Sequence, residues 1–359
     1  MNFRVLVVIL YFFTTIPLVK SQLYYPIISK DNKWGYINED GDVKIIPQFD
    51  AVRLFHENLA AVLIGNKWGY IDTNGNIAIE PEFENAYSFN EGIALVKQDS
   101  LYGYINTNGK FLISPEYIDG FSFNENRAMV KLDYRKWVII DSTNTIVVKE
   151  LIYNENEDGI NMGRYFNSGV LIMPNSDYDS EIIQVVNKKG KNKRIPQLYL
   201  SNNGYSDSLI LFKKRGLFGY LNLKYKKVIK EEYNFATDFL DGNAWVVNSD
   251  SGRYFIKMID KSNNIIFEYL MKSDSVKLLG MFNLGNKMCL IPYSIQGNDK
   301  VLILNNAGKI LSLSGSELIY TFFEDKYPFF KRNQIDLFLI NRDGLYKYID
   351  IDGKTIWTQ

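Results

Sequence analysis

An interval of 34 residues governs this chain. Trp34, Trp68 and Tyr102 stand 34 apart, and so do Gly35, Gly69 and Gly103. The same spacing links Gly41, Gly75 and Gly109, then Pro47, Pro81 and Pro115, then Phe55, Phe89 and Phe123, then Ala60, Ala94 and Ala128. A fixed period of this length marks a small unit stacked many times, because one unit cannot bury its own apolar face and a neighbouring copy can.

Within each unit the pattern reads as strands. In W-G-Y-I-D, Trp68, Tyr70 and Asp72 alternate with Gly69 and Ile71. Gly beside Trp leaves one face bare, so another backbone or ring can approach closely. Asp40-Gly41, Asn74-Gly75 and Asn108-Gly109 follow. Such pairs tolerate the positive φ of tight hairpin turns. A second alternating strand carries Ile77 and Ile79 and meets a proline, which lacks a ladder N–H and is expected to end the pairing. An aromatic comes next (Phe49, Phe83 or Tyr117), then F-N-E-G and a third strand at residues 93–97. No helical period of useful length appears.

Later units lose their Trp but keep other columns. Starts are readable at Trp137, Ile183, Phe218, near Ile256, near Val301 and at Tyr346. The last unit stops after its second strand, whereas residues 23–29 supply a strand ahead of the first W-G. One spare strand and one missing strand suggest that the two ends pair and close a ring, which removes two exposed edges. The expected fold is all-β, with tandem three-stranded repeats in a closed β-propeller-like ring. An open β-solenoid is the alternative.

The columns W-G-Y-I-D-x-x-G, I-x-P, F-x-E-G and A-x-V resemble the WG-repeat family, also called KWG repeats. The match is good from Trp34 to Val130 and recognisable from Phe218 to Val246. The resemblance implies a β-rich repeat protein, often exported and bacterial, with no catalytic residues among its matched columns.

The N-terminus reads as an export signal. Arg4 precedes an apolar run at residues 5–19, broken by Thr14, Thr15 and Pro17 and too short for a comfortable membrane span. Val19 and Ser21 suit cleavage before Gln22. The expected organisation is a signal peptide at 1–21 and a single repeat domain at 22–359, best preserved at 31–131 and divergent at 132–359. The expected location is periplasmic, cell-surface or extracellular. Removing Arg4 and Lys20 from 41 basic residues leaves 39 against 41 acidic ones. That balance argues against a nucleic-acid partner, whose phosphates demand clustered positive charge. The basic run at 188–194 surrounds Gly190 and reads as a solvated turn.

Catalytic chemistry is poorly supplied. Cys289 is the one cysteine and reads as a small buried hydrophobe. His56 is the one histidine and occupies the column of Asn90 and Asn124. No Cys/His cluster reads as zinc and no glycine-rich phosphate loop follows a strand. Residues 154–159 begin like a calcium loop but place Tyr165 where the bidentate Glu belongs. The acidic loop at 175–181 lacks the Gly as well, and Glu80, Glu82 and Glu84 read as an exposed corner. The repeating aromatics read as core. Tyr24, Tyr25, Tyr178 and Tyr205 lie outside the repeat and are better candidates for stacking on sugars. The expectation is an exported non-catalytic scaffold that binds a protein or surface component, without cofactor, metal or catalytic residues. The alternative is a carbohydrate-binding or carbohydrate-processing protein. Distinctive chemistry is expected where copies differ, at 150–164, 175–181 and 269–301.

Overall fold

The computed structural model describes residues 24–134, 136–151, 169–173, 182–196, 199–272, 276–285, 287–308, 310–314, 337–342, 345–350, 352 and 354–359. The expected signal peptide, residues 154–159, the loop at 175–181 and Tyr178 lie outside them. The described residues form strands and turns in nine antiparallel sheets, without a helix. The second sheet is representative: Ala51–Val52, Ala60–Ile64, Lys67–Ile71 and Ile77–Phe83 lie side by side in chain order. The nine starts at Trp34, Trp68, Tyr102, Trp137, Ile183, Phe218, Ile256, Val301 and Tyr346 each fall on the strand in the second-to-last position of their sheet.

The sheets stack face to face. Tyr36, Ile45 and Phe49 of the first sheet share a core with Ala60, Val62 and Ile71 of the second. Similar cores join the second to the third, the third to the fourth and the fourth to the fifth. Others join the sixth to the seventh, the seventh to the eighth and the eighth to the ninth. Strands Val170–Met173 and Tyr199–Ser206 bring the fifth and sixth sheets together. The ninth sheet then packs on the first: Tyr25, Ile27 and Ile37 are buried with Leu337 and Tyr348. The Tyr25 and Tyr348 rings meet edge-on at 5.6 Å, and Tyr348 Oη donates to the Pro26 carbonyl at 2.7 Å. The stack is thus a closed, propeller-like ring.

Closure does not use the expected strand exchange. Tyr25–Ile28 pairs with Trp34–Ile37 in its own sheet, and the ninth sheet holds Phe338–Arg342, Leu345–Ile349 and Thr355–Thr358. The sheet begins one strand earlier than the sequence unit. The strand ahead of each Trp column shares a sheet with that column, so the ninth sheet takes no strand from the start of the chain.

One buried side chain fastens each well-preserved sheet to the next. Tyr36, Tyr70, Tyr104 and Tyr220 are fully buried. Their hydroxyls donate to the carbonyls of Arg53, Tyr87, Phe121 and Thr237 at 2.6–2.8 Å. Those carbonyls sit just past the short first strand of the following sheet, where the ladder lapses and a buried acceptor needs a donor. Each ring also meets the offset-21 aromatic (Phe55, Phe89, Phe123 or Phe239) at 4.7–4.8 Å. Burial raises the Tyr104 and Tyr220 hydroxyls well above their ordinary pKa, which keeps them protonated donors.

The Gly of W-G answers to a bulge. Trp34 pairs with Phe49 while Tyr36 pairs with Ile45, so three outer-strand residues oppose Gly35. The same register holds at Gly69, Gly103 and Gly219. A Cβ on these glycines would lie 2.3–2.7 Å from the carbonyl oxygens of Ile45, Ile79, Ile113 and Ile229. With Val138 in the column, two residues oppose one; opposite Gln184, Lys257, Leu302 and Lys347 the ladder runs one to one. Proline therefore does not end the strand as expected. Pro47, Pro81 and Pro115 lie inside Val43–Phe49, Ile77–Phe83 and Phe111–Tyr117, at the bulge, where no ladder hydrogen is required. Pairing resumes at the aromatic, which turns into the core.

Gly69→Ala is expected to lower stability by about 2 kcal/mol, because backbone on both sides resists the new methyl. Urea unfolding checks this: the midpoint should fall at an unchanged slope, and a wild-type midpoint would disprove the close approach.

Candidate functional site

The strand registers define two faces of the ring. One face carries the tips at residues 57–58, 91–92 and 125–126 together with the turns at 38–42, 72–76 and 106–110. The opposite face carries the Trp column, the bulges and the turns at 65–66 and 99–100.

At the tips the chain reverses over two residues of positive φ: Glu57 and Asn58, Glu91 and Gly92, Glu125 and Asn126. Each is closed by a bridge, His56 with Leu59, Asn90 with Ile93 and Asn124 with Arg127. These are the mirror-image hairpin turns expected for D-G and N-G, found instead at E-N and E-G. Their outward amides are captured by the preceding unit. The Glu57 carboxylate accepts from the amides of Glu91 and Gly92 at 2.8 and 2.9 Å. The Glu91 carboxylate accepts from Glu125 and Asn126, both at 2.7 Å. Glu125 accepts from Gly169 at 2.7 Å and also meets Lys188 Nζ at 3.0 Å. Asp207 and Gly242 repeat the contact further on. A carboxylate ladder thus climbs this face. Beneath it the buried Asn90 donates to the Phe123 carbonyl at 2.6 Å.

The D-G and N-G turns are wider than expected. Among their residues only the glycine adopts positive φ, and Gly41 N donates to Asn38 O while Asn38 N donates to Asp42 O. This is a three-residue loop with glycine at the left-handed bulge position. An Asn or Asp four residues after each start organises it. Asp72 Oδ1 accepts from the amides of Asn74 and Asn76, both at 2.9 Å. The pattern recurs at Asn38, Asn106, Asp141, Asn187, Asn222, Asp260 and Asp350, and at Asn305 for the first amide. A side-chain oxygen held by its own turn replaces two lost ladder bonds. This column persists in all nine units, whereas Trp does not.

A linked pair of columns joins neighbouring units. Where the post-bulge aromatic is Phe49 or Phe83, the next unit's turn residue is Gly75 or Gly109. Where it is Tyr117 or Tyr233, the turn residue is Asn144 or Asn263, and the tyrosine donates to that Asn Oδ1 at 2.5 or 2.7 Å. Glu116 and Glu232 hold the same Asn residues through Nδ2 at 2.7 and 3.0 Å. Burial, aided by Glu116, pushes the Tyr117 hydroxyl up to about 12.

In six of the nine units the outer strand begins, two residues past the turn, with a half-exposed apolar side chain; Asn192, Lys227 and Thr355 stand there in the other three. Val43, Ile77, Phe111, Ile146, Ile265 and Ile310 are 37–55% exposed. Packing alone does not require six half-exposed apolar groups at one column. They line the face that carries the tips.

The chemical candidates are dispersed. Cys289 is fully buried between the seventh and eighth sheets, which raises its thiol well above the ordinary pKa. His56 is half-buried at the first tip. Among the described residues no group of three or more His, Cys, Asp or Glu is placed to hold a metal ion. Glu80, Glu82 and Glu84 are exposed at their corner, as expected, and Glu84 accepts from the Ser100 amide. The run at 188–194 is a turn leading into Asn192–Pro196. Two of the proposed sugar-stacking aromatics are structural: Tyr24 packs on Phe55 at 4.9 Å and Tyr25 lies in the closing seam. Tyr205 lies within Tyr199–Ser206. Arg53 is sandwiched between Trp68 and Tyr87 at 5.0 and 4.6 Å and donates to Asn85 Oδ1, a cation–π contact between sheets.

The WG containing repeat model matches three consecutive segments, residues 34–68, 68–102 and 102–137. No curated protein matches the chain. Among solved structures the chain is similar to PorZ, a bacterial surface component of the type-IX secretion system of Porphyromonas gingivalis. Identity is 13%, coverage 92% of this chain and 52% of that one, and the TM-score 0.31. The chain thus spans about half the length of that protein. It is also similar to a quinonprotein alcohol dehydrogenase-like protein from Bacteroides thetaiotaomicron, at 11% identity, 70% and 75% coverage and a TM-score of 0.34.

Asp260 tests the turn column by pH. Its side-chain and backbone hydrogen bonds from Asn264 hold its pKa below the ordinary value. A lowered folded pKa stabilises above the unfolded value, near 3.9, and that contribution is lost as pH falls through the folded one. Asp260→Asn keeps the acceptor without the charge. Its melting temperature should match wild type when both are acidified below the folded pKa and fall short at neutral pH; equal acid sensitivity would exclude Asp260 as a contributor. The aromatic–turn linkage is tested by a double-mutant cycle. Tyr233→Phe should cost about 1 kcal/mol, and less in an Asn263→Gly background.

Proposed function

We propose that the chain is an exported, non-catalytic scaffold that binds a protein or a surface component through the face carrying the tips. The observation behind this reading is the exposed apolar column at Val43, Ile77, Phe111, Ile146, Ile265 and Ile310. The other repeated columns are used internally: the tyrosines fasten sheets, the glycines admit the bulge, and the Asn and Asp residues close turns. The column left over faces solvent, and exposed apolar groups repeated on one face favour association with another surface. Export rests on the N-terminal signal read from the sequence. The reading carries no reaction, since the repeated polar groups hold backbone amides and each other.

The test is affinity capture from envelope extract with wild type and a Val43→Glu/Ile265→Glu variant, analysing proteins and released glycans. Both positions are exposed, so the variant should melt within about 0.5 kcal/mol of wild type. The expected result is one reproducible protein captured by wild type and lost with the variant. Equal capture by both would rule out the apolar column as the binding surface. Glycan enrichment without a protein would replace the scaffold reading with the carbohydrate one.

A further inference from the structure

Among the described residues the carboxylate ladder has no acceptor at its first rung. The turn amides of Glu91 and Gly92 hold the Glu57 carboxylate, and those of Glu125 and Asn126 hold the Glu91 carboxylate. The turn at Glu57 and Asn58 has the same shape. Its φ values are 53° and 65°, beside 59° and 74° at the second tip and 53° and 59° at the third. It is closed by the same bridge, His56 with Leu59. Both of its residues are exposed. Among the described residues, nothing accepts from the amides of Glu57 and Asn58. Residues 1–23 contain neither Asp nor Glu that could serve as a carboxylate for this rung.

We propose that the paired amides of Glu57 and Asn58 are a carboxylate-binding site for an acidic group on a partner polypeptide. Two adjacent N–H donors aimed outward from a left-handed turn are a fixed, uncharged receptor that fits both oxygens of one carboxylate. The chain itself demonstrates the fit twice, at 2.7–2.9 Å. The group is either a polypeptide's terminal carboxylate or an Asp or Glu side chain, the latter being what the internal rungs use. The site lies on the same face as the apolar column, beside Val43 and Ile77 in chain order. It deepens the binding reading and rests on it for the polypeptide source alone.

The experiment is an amide NMR titration of the mature chain with three probes. They are acetate, a short peptide with a free C-terminus and no acidic side chain, and an amidated peptide carrying one internal Glu. The fully neutral amidated peptide is the blank. The expected result is a saturable downfield shift of the Glu57 and Asn58 amides with one or both carboxylate peptides and none with the blank. The peptide that acts identifies the source. Glu91 and Gly92 should not move, because Glu57 already occupies them. In Glu57→Asn, whose shorter side chain tolerates positive φ, Glu91 and Gly92 should become responsive to the same peptide. Shifts with acetate but neither peptide would overturn the polypeptide assignment. No shift at Glu57 and Asn58 with any probe, while Glu91 and Gly92 respond in the variant, would overturn the site itself. Capture failure with a positive titration would sink the apolar-column reading and leave this one standing.

Discussion

A sheet of three or four short strands with apolar residues on both faces has no stable existence alone. It must be covered twice. The rest of this ring depends on how the covering is arranged at the point where each sheet hands over to the next. There the short first strand stops pairing and leaves a buried carbonyl. The buried tyrosine of the preceding sheet donates to it, at Arg53, Tyr87, Phe121 and Thr237. The bond fixes the offset between sheets as well as holding them, since a neighbour slipped by one residue would present the wrong backbone group. Tyr348 is the equivalent donor for the last pair, but its acceptor is Pro26, inside the paired strand Tyr25–Ile28, so the ring closes on the same donor column with a different acceptor.

The handover also explains which parts of the repeat can drift. The Gly column and the bulge change together. Glycine accepts three residues crossing over it, Val138 accepts two, and longer side chains accept a straight ladder. The proline column drifts separately: Gly219 keeps the bulge with Glu231 in that column, and Pro196 persists opposite a straight ladder at Gln184. The tyrosine–asparagine pairs at Tyr117–Asn144 and Tyr233–Asn263 are a second coupled change, in which a hydroxyl gained on one sheet is matched by an amide on the next. Trp tolerates replacement because its side chain is only partly covered at Trp34 and Trp68.

Much of this is legible in the sequence. The period, the strands, the buried aromatics and all nine starts can be read there, because each depends on a column with one physical meaning. The close approach over Gly35 and Gly69 is readable too. Three features differ from what the sequence suggests. D-G and N-G alone point to a two-residue hairpin, whereas the Asn or Asp three residues before the glycine decides the loop width. Proline reads as a stop, although its missing donor suits a bulge equally well. Strand exchange looks necessary for closure only if the sheet begins where the sequence unit begins, and it does not. The carboxylate ladder is within reach of the sequence: Glu57, Glu91 and Glu125 keep the interval, and an acid at a loop tip with no other use points to a backbone partner. The first rung is not, since it depends on which amides lack an acceptor among the described residues.

The bulge has a further consequence for the perimeter. In the first three sheets the outermost strand is kinked and carries Pro47, Pro81 or Pro115, so its free margin offers an interrupted row of donors. The seventh sheet is different. Its outermost strand, Ile265–Lys272, is eight residues long, pairs one to one with Arg253–Met258 beyond a single-residue shift at Ile266, and exposes Ile266 and Leu270. An apolar margin without the wide bulge and its proline is a template on which another chain can lay down a strand, and one interrupted by them is not. The perimeter therefore has a blunted arc and a receptive arc. Edge-on self-association, if the molecule is crowded or partly opened, starts from the receptive one.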